Sequence, residues 1–225
     1  LMCHSPHEDV LEQLLHAGCT KLLIKFAEDA AKYMAGYSIR MLQLICIAAS
    51  ALTSLSRIKH APPYFGRQNV FDRIHTWIRK TGGKNIHLRE CRLNVLTNIA
   101  CSTPKSHPTF WLDSLIYSVC DDFILNDGTD PETRHLCLQT TQTLLRVLEI
   151  SSVPDRITKS HYHVVAHCFK LIQNAKQTWR LEIPKDWDAL VHAITAIFYL
   201  ITCSTKAVGN VCDPREEPVM PLINT

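Results

Sequence analysis

The chain offers few side chains whose type and spacing suggest chemistry. His161, His163, His167 and Cys168 are the densest metal-like group. His163 and His167 are four apart, so one helix face would carry two imidazoles toward a zinc ion. Structural zinc wants four converging donors, and His161 and Cys168 leave that face at awkward angles. A partly exposed helix with incidental histidines accounts for the group, and no bound metal or other cofactor is expected. Gly82-Gly83-Lys84-Asn85 superficially resembles a phosphate loop. The earlier glycine is missing, Asn85 stands where a magnesium-holding Ser or Thr belongs, and the run follows a helix pattern rather than a strand. A helix terminator explains it better. Asn126-Asp127-Gly128-Thr129-Asp130 lacks the alternating acids and terminal Glu of a calcium loop and reads as a capped turn. G-x-S-x-G, H-E-x-x-H and G-x-G-x-x-G are absent from the sequence. An enzyme is therefore not expected, and neither is a small-molecule substrate.

Charge is a second source of chemistry. The net value of +3 over 225 residues is too small to imply nucleic-acid binding. Its distribution is uneven. Arg57, Lys59, Arg67, Arg73, Arg79, Lys80, Lys84, Arg89 and Arg92 are opposed within their own segment by Asp72 and Glu90 alone. Asp113, Asp121, Asp122, Asp127, Asp130 and Glu132 follow in a stretch without Lys or Arg. The ten Cys form no C-x-x-C pair, and six of them (Cys46, Cys91, Cys120, Cys137, Cys168, Cys203) sit in apolar helical stretches. They read as reduced, buried thiols of a cytoplasmic protein, with the nucleus left open.

Helical periodicity must position these residues. Hydrophobic residues make up 46% and charged ones 20%, an ordinary globular balance, and alternating strand patterns are scarce. Helices are expected over 6–17, 19–35, 38–57, 68–80, 86–101, 108–125, 131–150, 157–175 and 186–205. On the second, Leu22, Leu23, Phe26, Ala30 and Tyr33 form the predicted buried stripe. The third should be buried on more than one side. Ala61-Pro62-Pro63 reads as a break, and Trp179 to Pro184 as a loop. Asp130 is the expected cap and Pro131 the first residue of the helix after it. The most apolar run, Ala189 to Cys203, is 15 residues and falls short of the roughly 20 that cross a bilayer. No signal peptide or transmembrane segment is expected. A chain opening on Leu rather than Met is expected to be part of something longer.

The helices pair into about four units. ALTSL with Leu52, VLTNI with Leu96 and TLLRV with Leu144 recur at spacings of 44 and 48 residues, and Ile197 in TAIFYL follows 53 later. LLHAGCTKLLIKFAED (14–29) and RECRLNVLTNIACST (89–103) resemble armadillo repeats. Leu14, Ala17, Gly18, Leu22, Leu23 and Phe26 fit the turn between first and second armadillo helices, and Asn98 stands at the asparagine position of the third. The likeness covers about 10–58 and 85–102. It implies an all-α fold, a right-handed superhelical stack of armadillo/HEAT-like repeats over 1–206, with a Pro-containing tail at 207–225. Large centriolar and ciliary scaffolds resemble this pattern too, which adds centrosome and cilium as expected sites.

The resemblance implies a scaffold that holds a partner peptide or helix. Import receptors of this family place Trp four residues before the groove asparagine. Here that residue is Asn94, so nuclear-localisation signals are not the expected cargo. The candidate partner-binding residues are Arg73, Arg79, Lys80, Lys84, Arg89 and Arg92 along one basic ridge, facing an acidic or amphipathic segment of another protein. Arg89 and Arg92, three apart, are expected to face outward together. A second candidate surface is a groove lined by Gln43, Asn98, Gln142 and Arg146. Asn98 could equally satisfy carbonyls within its own helix layer. Nucleic acid or acidic lipid on the basic ridge is the first alternative reading, and an all-α enzyme without a recognisable motif is the second.

Overall fold

A computed structural model of the chain describes residues 6–32, 39–81, 85–103, 111–125, 128–129, 131–150, 153–154 and 163–203. Every regular element among them is helical. The expected tail at 207–225 lies outside the described residues. By its internal packing the chain divides into two compact units, Leu1–Pro104 with Pro108–Val119, and Lys105–His107 with Cys120–Thr225.

The first unit opens with α1 (Pro6–His16) and α2 (Cys19–Lys32). Glu8 and Asp9 sit in the first turn of α1, where carboxylates suit the helix dipole. Gly18, at φ +82°, makes the left-handed turn between the two helices. The predicted stripe of α2 is rotated in the structure. Leu22 and Phe26 are 64% and 45% exposed, while Thr20, Ile24, Ala27, Ala30 and Ala31 are buried. The reason is close packing: α2 lies on α3 (Ile39–Ser56), and alanines let the two backbones approach. Tyr33 lies outside the described residues.

The third helix, α3, packs against α1, α2 and α6. Ile45, Ala48 and Leu52 are fully buried, but Ile39 and Ile47 remain exposed, so burial is less complete than its composition suggests. By length and composition α3 is apolar enough to cross a membrane. A helix enclosed by several neighbours needs the same composition.

Pro62-Pro63 begins a short helix rather than a break: α4 runs Pro62–Arg67. Proline at the first helical position loses no hydrogen bond, because that N–H has no intrahelical partner. Then come α5 (Val70–Lys80) and α6 (Ile86–Ser102). Val70, Phe71, Ile74 and Trp77 form the buried stripe of α5, as the spacing predicts. Asn85 caps α6, its Oδ1 accepting from the Leu88 amide at 2.9 Å. Two contacts in each direction order this unit. Along the chain α2 packs on α3 and α5 on α6; across it α2 packs on α5 and α3 on α6. Trp111 packs closely against Gly66, where a Cβ would come within 2.3 Å of the Trp111 Cβ.

The unit boundary falls inside α7 (Leu112–Leu125). In the second unit a 3-10 turn (Pro131–Thr133) leads into α8 (Arg134–Leu148). Pro131 therefore opens a turn ahead of the α-helix, and Asp130 lies outside the described residues. The next helix, α9, spans His163–Glu182 and α10 spans Pro184–Thr202. The expected loop at 179–184 is not there. No breaker stands between Ala175 and Pro184, so α9 runs on through Trp179. That indole is fully buried and its Nε1–H donates to the Gly128 carbonyl at 3.0 Å. Both α8 and α9 pack on α10. Leu52 and Leu96 in the first unit, and Leu144 and Ile197 in the second, are each fully buried. Each such side chain is worth roughly 1.5–3 kcal/mol.

Candidate protein-interaction surface

The basic residues of α5 and α6 separate into distinct roles. Arg79 and Lys80 are exposed on the last turn of α5. With Thr76 they line an open depression. Their charges sit where the helix dipole favours cations. Arg73 does not stand unopposed. Its guanidinium pairs with Glu28 of α2 and its Nε donates to the Gln68 carbonyl at 2.8 Å. Counting acids only within 57–92 missed a partner 45 residues away.

Arg92 corrects a second expectation. It is only 2% exposed, whereas Arg89 is half-buried. Residues three apart on a helix differ by about 60° in direction. That rotation takes Arg92 into the layer that holds Cys91, Leu93 and Val95. Its long apolar stem makes such burial tolerable. Lys84 lies outside the described residues.

Asn98 faces inward in part. Its Nδ2 donates to the Ser56 hydroxyl at 2.9 Å, and that hydroxyl donates on to the Thr53 carbonyl at 2.7 Å. The amide thus serves its own helix layer. In the first unit Gln43 is exposed on α3. In the second, Gln142 and Arg146 are exposed on α8, and Arg146 pairs with Glu149 at 3.6 Å.

The histidine group of α9 is dispersed. His163 is exposed, while His167 is buried edge-on to Phe123, with ring centroids 4.9 Å apart. Burial pushes the Cys168 thiol up to about 12. His161 lies outside the described residues, as do Asn126, Asp127 and Asp130. Gly128 turns at φ +69°.

Compared with family models, with curated proteins and with solved structures, the chain matches none.

One group was missed by spacing along the sequence. Ser50 of α3 meets His87 and Cys91 of α6. The Ser50 Oγ lies 2.9 Å from His87 Nε2 and 3.8 Å from Cys91 Sγ, and Cys91 Sγ lies 3.6 Å from His87 Nε2. Cys46 lies one turn before Ser50 on α3. Burial raises both thiols above their ordinary range. The signal available beforehand was two pairs at helical spacing, 46/50 and 87/91, on helices that the repeat pattern makes neighbours.

Proposed function

We propose that the chain is a non-enzymatic interaction scaffold. In this reading it is an α-solenoid of armadillo/HEAT-like repeats, one repeat domain over 1–206, that holds an acidic or amphipathic segment of a partner protein. The observation that carries the reading is how far its side-chain hydrogen bonds between elements reach along the chain. In the first unit they join His16 to Tyr64, Glu28 to Arg73, Ser50 to His87, Ser56 to Asn98 and Asn69 to Ser114, separations of 48, 45, 37, 42 and 45 residues. In the second they join Arg134 to Glu182 and Gly128 to Trp179, separations of 48 and 51. Those lengths bracket one armadillo or HEAT period of about 40–47 residues. Bonds of one period are what stacked repeats make, because each repeat touches its neighbours.

The partner's contact is assigned to Arg79 and Lys80. Among the described residues neither forms an ion pair. Arg73, Lys84 and Arg89 border them in sequence, while buried Arg92 leaves the contact set. Asn98, Gln142 and Arg146 remain as the second surface. Protein is favoured over nucleic acid because Phe71 and Trp77, the aromatics among these basic residues, are 0% and 1% exposed and leave no stacking platform. Cytoplasm, centrosome or cilium as its location belongs to the same proposal.

The test is binding of a Glu-rich amphipathic peptide, followed by fluorescence anisotropy. Arg79→Glu with Lys80→Glu should abolish binding, and binding by the parent should weaken as salt rises. Undiminished binding by the double variant overturns the assignment of this surface.

A further inference from the structure

Four apolar side chains of the first two helices stand in solvent. Val10 and Leu14 on α1 are 54% and 41% exposed, and Leu22 and Phe26 on α2 are exposed as well. Each pair is four residues apart, so each forms a short stripe along its helix. An exposed apolar residue standing singly is ordinary, but paired stripes on two helices that pack together mark an interaction surface. We propose that this surface is the interface of a homodimer, in which α1 of one copy lies along α2 of the other.

Helix geometry turns both stripes outward. At about 100° per residue, Leu22 and Phe26, two residues either side of buried Ile24, each point about 160° away from it. They therefore face away from α3, on which α2 lies. Val10 and Leu14 point about 140° and 100° away from Leu15, the fully buried side chain of α1.

Charge identifies the occupant as a second copy. The first helix carries Glu8, Asp9 and Glu12, with no Lys or Arg. On α2 the acids are engaged inside the chain: Glu28 pairs with Arg73, and Asp29 with Lys32 at 2.8 Å. Lys21 and Lys25 are exposed, one turn apart, each next in sequence to one member of the apolar pair. One helix is thus acidic and apolar, and the next is basic and apolar. A two-fold axis sets α1 against the other copy's α2 twice, so each apolar stripe covers the other and each acid meets a lysine. Pairing α2 with α2 would instead bring Lys21 and Lys25 against like charges.

The test is sedimentation velocity of the full chain over a concentration series, with thiols kept reduced so that exposed Cys101 and Cys203 form no crosslink. The expected result is a species of twice the single-chain mass that gives way to the single chain on dilution. Phe26→Glu should abolish pairing at concentrations where the parent pairs, while keeping the parent's helical circular dichroism. Lys21→Glu with Lys25→Glu should weaken pairing about tenfold or more, and so should Asp9→Lys with Glu12→Lys. An equal mixture of those two variants should pair again, because opposite charges then meet at both contacts. A parent that sediments as a single chain at every concentration overturns the proposal. So does undiminished pairing by Phe26→Glu, or a mixture that pairs no better than its components.

Discussion

The amide of Asn98 on α6 donates to the hydroxyl of Ser56 on α3 across 2.9 Å, and Ser56 is fully buried. The bond holds two helices at a fixed register. Asn98→Ala removes the donor but leaves Ser56 its own bond to the Thr53 carbonyl. The expected cost is about 1 kcal/mol. Urea unfolding should show a lower midpoint with an unchanged slope.

The two arginines on neighbouring helices should respond in opposite ways to charge reversal. Arg79→Glu changes an exposed site and should alter stability by less than about 0.5 kcal/mol. Arg92→Glu inverts a charge inside the layer and should cost about 3 kcal/mol or more. Thermal unfolding of the two variants side by side separates a surface cation from a structural one.

Gly128 and Gly18 make a second contrast. Both have positive φ, so Gly→Ala strains the backbone at each, by about 1 kcal/mol. At Gly18 the new methyl meets nothing within 4 Å. At Gly128 it meets Trp179 at 3.0 Å and Cys137 Sγ at 3.2 Å, and the same residue's carbonyl holds the indole N–H. Gly128→Ala should therefore lower the thermal midpoint clearly more than Gly18→Ala.

Burial pushes Cys120 and Cys168 up from their usual 9.0 to about 12. The folded state thus keeps protons that the unfolded chain would release. The stabilisation is present in full below pH 9 and is lost as pH rises toward 12. Urea midpoints should fall over that range, and less so in Cys120→Ala. At neutral pH a thiol reagent should modify exposed Cys101 and Cys203 well before either buried thiol.

Much of the fold was legible because its punctuation is strong. Gly18, Asn85 and Pro184 mark helix ends at or within a residue of where they fall. The buried face of α5 follows from period alone. The face of α2 did not, because Leu22–Phe26 and Ile24–Ala27–Ala31 are both apolar stripes, and the choice between them is made by α3. Arg92 was misplaced for a related reason: a long charged side chain reads as surface until its neighbours are known. The ridge was legible only at Arg79 and Lys80, where exposure needs no tertiary knowledge. The Glu28–Arg73 pair and the contacts of Ser50 with His87 and Cys91 join residues far apart in sequence, and only packing of one helix pair on the next brings them together.

The reach of these bonds also sets the order of folding. In the first unit the bonds from His16–Tyr64 to Asn69–Ser114 close loops of 37 to 48 residues. Doubling such a loop would add only about 0.6 kcal/mol of closure entropy, so each closure is nearly as easy as the last. All of these partners lie within the first 114 residues. A ribosome translating α9 would already have released every residue the first unit uses in them, and that unit can acquire its native bonds while the rest of the chain is being made.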